Sequence, residues 1–591
     1  VAGTLAESSE RSPQHGETLA TQRFDPDSRH DISTTSEDGV LESNLPQIVL
    51  LTTAGLCFAG GRLFTNRFVW GPLCLTAVIA ATGCLAVVTM RGLHAEHGWP
   101  AQAMAWFPLG LGLLFVPAAL KRWRAAPFAA DQFGLVLLSL AGLMFVGSVT
   151  DLISLFVVWQ LVVLPSDGLL FLSRDRHDSD EVVSIDDAVR SSGVRETAGR
   201  WLVSIDPARK QLLLGGVSSL LLLVGFGLVG GVTGSTHLAD ARRTAGGLHS
   251  DFPAIADQPA PNSSRPTLRG PTPLGPTPLG IAATVLVFAG VGFRMAVVPF
   301  QFGIADIYRG TSTWMSGWLA TVPKAASFIV LLRVVGFTLP GVAAAGQLVT
   351  MVAAGCTMLL CGTLALSQTN VRRLLAYTTM SHGGFALAGI AAGFHGAAGT
   401  LSNPSVGGGL PSGLSAGLLF LGGSLWATAG LFAILVYVER SNRPVEILDE
   451  LKGLLRTEPA AAVAAAILLL SLIGLPPLCG FWGRLFVFTS TMSARLVDPM
   501  THLPEPHPAF LLLSLAAVVG LAMMAAVYLR LLTVILLDGP IARPAPSGGQ
   551  GALFAGVLAA VLALGVGLLP GPVIDSLQNA DPPQQQSAEH R

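Results

Sequence analysis

Two cationic side chains stand inside long apolar runs of this sequence. Arg294 lies in FAGVGFRMAVVPF, residues 288–300, and Lys324 in WLATVPKAASF, residues 318–328. A charge held at bilayer depth costs about 2.5–3.5 kcal/mol on insertion scales, so such groups face a bundle interior or a wet cavity. Pro299 interrupts the first run, and the backbone groups a proline frees at depth need polar partners or water, as in the broken helices of transporters. The two cations differ in chemistry. Arginine keeps its proton at any reachable pH and can only bias a pathway, whereas burial disfavours the ammonium form of lysine and lets it exchange a proton. A charge beside a helix break has the form of an ion pathway.

The surrounding chain must hold these groups in a bilayer. It is 51% hydrophobic and 12% charged, against ~25% charged in soluble domains. Apolar runs of helical length fall at roughly 45–61, 68–90, 103–120, 132–149, 151–172, 209–233, 278–299, 304–337, 342–366, 372–394, 412–438, 458–495, 508–537 and 551–573, the twelfth interrupted at Pro476-Pro477. By the ~20-residue criterion these predict about fourteen spans. A polar tail, 1–44, precedes them and reads as disordered; a second polar tail, 576–591, follows. Within the membrane domain, 45–575, lie a charged insert, 173–207, and a Pro/Gly-rich insert, 236–276, that reads as a flexible loop.

The net charge of −1 gives no argument for a nucleic-acid partner, and the six cysteines show no metal-ligand spacing. No glycine loop suited to a nucleotide is present. Arg62, Arg67, Lys121, Arg122, Arg124, Arg372, Arg373, Arg440, Arg443, Lys452, Arg456 and Arg543 cluster in alternate loops. The positive-inside bias then predicts a multi-pass protein of the cell inner (plasma) membrane with both termini on the non-cytoplasmic side.

The stretch GFRMAVVPFQFGIADIYRG, followed by WLATVPKAA, resembles GFKxSxVPFHxWxPDVYQG and FLATVSKAA of subunit N of NADH-quinone oxidoreductase, an antiporter-like membrane subunit of respiratory complex I. The resemblance covers most of residues 130–495. It implies an all-α polytopic fold containing two inverted five-helix repeats, with broken helices near Pro299 and Pro476. DLISLFVVWQLVVLPS, ARKQLLLGGVSS, NVRRLLAYTTMSHGGFAL and SLIGLPPLCGFWGRLFVF match family segments that carry the proton pathway. Lys324 and His382 are retained, and Lys210 matches the lysine coupled to a family glutamate. That glutamate position holds Gln160, a family histidine position holds Gln301, and Arg294 and Arg484 stand where the family has lysines. Glutamine cannot ionise, so Lys210, Lys324 and His382 remain as the titrating groups. Asp167, seven residues after Gln160 and on nearly the same helical face, is a candidate for the missing carboxylate; the competing reading is a helix end at the interface. Arg294 and Arg484 are candidates for structural cations paired with acids or carbonyls, and Arg372 and Arg373 for membrane-edge anchors.

The resemblance implies a subunit without a redox centre, which moves protons while NADH, flavin, iron-sulfur clusters and quinone react in partner subunits. Its partners would be the other membrane-arm subunits and the lipid bilayer. Two alternatives stay open: a non-pumping structural subunit of the membrane arm, and a cation/proton antiporter-type subunit of a related complex.

Overall fold

The computed structural model describes residues 44–63, 68–90, 98–124, 126, 128–172, 207–238, 278–338, 343–397, 413–440, 445–497, 504–539 and 546–572. Nearly all of the two polar tails and of the two expected inserts, 173–207 and 236–276, lies outside the described residues.

The helices are α1 Leu45–Leu63, α2 Trp70–Met90, α3 Gly98–Trp123, α4 Ala129–Ser148, α5 Leu152–Leu172, α6 Pro207–Thr233 and α7 Pro278–Met295. They continue as α8 Ile304–Arg309, α9 Thr313–Thr338, α10 Ala343–Leu366, α11 Val371–Ala397 and α12 Gly413–Val438. Short turns, including α13 Leu454–Thr457, lead to α14 Pro459–Ile473, α15 Cys479–Met492, α16 Pro508–Leu536 and α17 Gln550–Leu568. A two-stranded antiparallel ribbon, Arg495–Val497 with Pro504–Pro506, joins α15 to α16. Among the described residues, ten helices are long and apolar enough to cross a membrane. One expected span is corrected: the run 304–337 is two helices, because Gly310 ends α8 and the chain turns before Thr313 starts α9.

Helix α9 is the centre of the bundle. Its apolar length is buried from Thr313 through Leu332, whereas α2 and α6 present most of their surface outward. Its tryptophans explain how a polar-edged helix is held there, since each buried indole N–H needs an acceptor. Trp314 Nε1 donates to Phe115 O at 3.0 Å, and Trp318 Nε1 to Ser166 Oγ at 3.0 Å. Trp159 Nε1 of α5 donates back to Ser327 Oγ of α9 at 3.4 Å. These bonds fix α9 in rotation as well as position, and so fix where Lys324 points.

Close backbone approach brings α7 against α6. A Cβ on Gly290 would lie 2.7 Å from Leu222 N, and Ser218 Oγ donates to Gly290 O at 2.6 Å. Without bulky side chains between them, the helices gain the packing that drives association in lipid.

Both expected helix breaks are present. Helix α7 stops at Met295, one residue before Ala296, whose φ of 59° is left-handed. The freed Val298 N–H donates to Thr357 Oγ1 of α10 at 3.0 Å, and Gly303, at φ 83°, restarts the chain into α8. The second break follows Ile473, where Gly474, at φ 86°, closes α14 with its N–H on Leu470 O and Ser471 O.

Candidate functional site

The breaks place buried charges in a row across the bundle. At the first break Arg294 meets Asp167 in a two-pronged pair, Nη1 to Oδ1 at 2.9 Å and Nη2 to Oδ2 at 2.7 Å. Both side chains are only 4% exposed. Gln211 Nε2 of α6 donates to Asp167 Oδ1 at 3.3 Å, so one carboxylate ties α5, α6 and α7 together. Gly215 makes the space: a Cβ there would collide with Arg294 Nη2 and lie 3.1 Å from Asp167 Oδ2. Planar guanidinium against carboxylate is the strong form of such a pair.

Arg294 and Lys324 line one small cavity, with Gln211, Ala296, Tyr308 and Pro323 among its walls. It offers about 20 Å³ to the centres of water molecules, enough for about one water among polar partners. Arg294 Nε, buried and without a partner among the described residues, is one group such a water would satisfy. Lys324 is 2% exposed, and its ammonium donates to Thr379 Oγ1 of α11 at 3.2 Å. The threonine passes its own proton to Ala376 O at 2.8 Å.

Beyond Thr379 on the same helix, His382 is 4% exposed. Its Nε2 lies 2.8 Å from Tyr528 OH of α16, and its ring stacks on the phenol at 5.8 Å. Its Nδ1 lies 3.5 Å from Arg484 Nη2. Arg484, at the second break, gives its fork to the carbonyls of Leu472 and Ile473, the last residues of α14. A cation at these open carbonyls satisfies the helix end and its negative dipole. The guanidinium also lies 5.6 Å over the Phe420 ring.

The remaining sequence candidates sit apart from these contacts. Lys210 is half-buried on the first turn of α6 beside exposed Arg209, and the residue of that turn that reaches Asp167 is Gln211. Gln160 is half-buried and accepts from Ser219 Oγ at 3.1 Å. Gln301 lies buried within the first break, with Oε1 unpartnered among the described residues. Arg372 and Arg373, expected as membrane-edge anchors, both bind protein groups. Arg372 donates to Thr311 O and faces Glu446 at 3.5 Å, while Arg373 donates to Asp306 of α8 at 2.6 Å.

Sequence reasoning did not single out Tyr528, Thr379, Gln211 or Gly215. Tyr528 is one of only four tyrosines and sits in an apolar run, which is a signal for a buried hydroxyl needing a partner. Nothing in the spacing of Gln211 or Gly215 marks them, because their roles exist only once α6 and α7 are packed.

A polytopic helical bundle with buried ionisable groups gathered at two interrupted helices has the construction of ion-moving membrane proteins. The profile of the family described as NADH:quinone oxidoreductase/Mrp antiporter, TM, matches residues 191–403 and 413–503, just over half of the chain. The chain belongs to that family of membrane proteins. It is 28% identical over 549 residues to NADH-quinone oxidoreductase subunit N of Paramagnetospirillum magneticum, covering 91% of this chain and 96% of that one. Its fold is that of a chain in respiratory complex I from Thermus thermophilus with bound aureothin, at TM-score 0.64 and 24% identity, over 90% of this chain and 100% of that one. A chain of the Mrp complex from Dietzia sp. DQ12-45-1b is also similar, at TM-score 0.66 and 21% identity, over 91% and 97% of the two chains.

Proposed function

We propose that this chain is the antiporter-like subunit N in the membrane arm of a proton-translocating NADH-quinone oxidoreductase. Redox chemistry with NADH, flavin, iron-sulfur clusters and quinone belongs to partner subunits, and this chain turns their signal into proton movement. The observation that carries the reading is the buried line of polar groups, Asp167–Arg294, Lys324–Thr379 and His382–Arg484, reaching both helix breaks. The fourteen-span reading is supported by counting each broken helix, α7 with α8 and α14 with α15, as one crossing, and the two-repeat reading by there being two such breaks.

In this reading Lys324 is the proton-exchanging group. It stands on the central buried helix at the edge of the small cavity, with one hydroxyl partner and no carboxylate against it among the described contacts. Arg294 stays charged beside it and biases the site through space rather than by releasing a proton. Asp167 neutralises Arg294, which spares Lys324 an unscreened second cation. His382 receives the proton on the far side of Thr379.

One set of observations favours a second reading, a subunit that seals the membrane arm without pumping. Both arginines give their terminal nitrogens to fixed acceptors, Arg294 to a carboxylate and Arg484 to two carbonyls. The complex reconstituted in vesicles separates the two. With pumping, Lys324→Ala lowers the protons moved per electron while electron transfer continues; an unchanged ratio in an assembled complex establishes the sealing role. Copurification with NADH- or quinone-handling subunits tests the membership itself, and recovery with other antiporter-like chains alone points to a cation/proton antiporter.

A further inference from the structure

The hydrogen bonds around His382 have a direction. Arginine is a donor only, so His382 Nδ1, 3.5 Å from Arg484 Nη2, accepts, and the ring proton sits on Nε2. Nε2–H then donates to the Tyr528 oxygen at 2.8 Å. The phenol keeps its own proton for another acceptor, and the Thr378 hydroxyl lies against it. Thr378 in turn spends its proton on Leu375 O at 3.0 Å, which leaves its lone pairs free to accept. Arg484 cannot carry a proton onward: a guanidinium does not release one at reachable pH, and its fork is held by Leu472 and Ile473. Phe420, the other ring against His382, has no exchangeable hydrogen. Among the described contacts of His382, only the phenol both accepts and gives a proton.

We propose that Tyr528 is the proton-relay residue that takes the proton from His382. A proton released by the Lys324 ammonium, whose N–H bond breaks to leave the neutral amine, arrives on Nδ1 in place of the Arg484 contact and makes the imidazolium. The Nε2–H bond then breaks as an O–H bond forms on Tyr528, and the original phenol O–H passes its proton to a water molecule. The imidazole ends neutral in its other tautomer and the phenol ends neutral, so the charge leaves the site as hydronium. Burial suits this role, since Tyr528 is 0% exposed and the phenol need never become an anion in a medium that disfavours one.

The inference rests on the proton-translocating reading above, and one experiment distinguishes the two. Tyr528→Phe keeps the ring that stacks on His382 and removes only the hydroxyl. In the reconstituted complex it is expected to retain NADH oxidation while the proton-to-electron ratio falls to the value found with Lys324→Ala. Wild-type pumping in Tyr528→Phe, with pumping lost in Lys324→Ala, overturns the relay and leaves the translocating reading intact. Wild-type pumping in Lys324→Ala overturns both. Where Tyr528→Phe does not assemble, infrared difference spectra of the native complex with ring-labelled tyrosine decide. A tyrosine O–H band that responds to turnover supports the relay, and the absence of one removes it.

Discussion

Asp167 meets the cation on α7, although it lies two turns along α5 from Gln160, where the resemblance places the family's carboxylate. The relocation changes the chemistry, because a lysine there could release its proton while arginine cannot. A buried ion pair broken from one side leaves an unpaired charge, at a cost of about 3–5 kcal/mol. Asp167→Asn and Arg294→Gln are each expected to lower the thermal unfolding midpoint of the detergent-solubilised protein. The double variant should fall by less than the sum, and simple additivity would mean the two side chains are uncoupled. Asp167→Asn also tests function separately. If the carboxylate sets the field at Lys324, the proton-to-electron ratio falls; a ratio equal to wild type assigns Asp167 to structure alone. Gly215→Ala attacks the same pair without touching a charge, because its Cβ would displace Arg294 Nη2. Overpacking of that kind costs about 1–3 kcal/mol, read in the same melting experiment.

The helix ends show which parts of this architecture were legible beforehand. Both interruptions could be placed from Pro299 and Pro476-Pro477, because proline and apolar length act locally. The ends of α7 and α8 could not, since α7 stops at Met295 on the strength of Thr357 accepting Val298 N–H from another helix. The partners of Arg372 and Arg373 could not be foreseen for the same reason: Thr311, Glu446 and Asp306 are distant in sequence. Lys324 was found because a lone charge in an apolar run is a local signal, whereas Gln211 needed the packed α5–α6–α7 trio. Asp151 caps α5. Its Oδ2 accepts from Ile153 N–H at 3.0 Å and Ser154 N–H at 3.1 Å. The Thr236 hydroxyl and then these N–H groups hold its carboxyl below the usual range. A depressed folded-state pKa means the contribution is present above the unfolded value and is lost as pH falls through the folded one. Asp151→Ala is therefore expected to destabilise by ~1 kcal/mol at neutral pH and by progressively less in acid. A difference from wild type that persists undiminished at low pH would contradict the capping role.

The bundle has two unlike faces. Arg122 pairs with Glu439 at 3.0 Å, Arg372 reaches Thr311 and Glu446, Arg373 reaches Asp306, and Arg530 donates to Gln368 O at 3.3 Å. These bonds bring the ends of α3, α8, α11, α12 and α16 together on one basic face. The turn between α4 and α5 meets the end of α6 on the other, where Asp151 and His237 form a backbone bridge: Leu152 N–H donates to Thr236 O at 2.9 Å and Leu238 N–H to Thr150 O at 3.0 Å. A Cβ on Gly61 would meet Ala130, and one on Gly549 would meet Lys121, so α1 ends and α17 begins at the basic face. Leu45 and Leu568, the outer ends of these two helices, consequently point away from it. Basic residues tend to be retained on the cytoplasmic side during insertion, which predicts the basic face in the cytoplasm and both described chain ends on the opposite side. The broken helices then enter from opposite sides: α7 starts on the face away from the arginines and α14 starts among them. Proton access from each side would meet a break near mid-depth, with Lys324 and His382 between. Single cysteines introduced as Asn44→Cys and Arg456→Cys test this in sealed vesicles of known orientation. A membrane-impermeant thiol reagent is expected to label Arg456→Cys only from the cytoplasmic face and Asn44→Cys only from the other. Labelling of both from one face would break the alternation of helices, and labelling of each from the reverse face would invert the protein in the bilayer and exchange the two routes to Lys324.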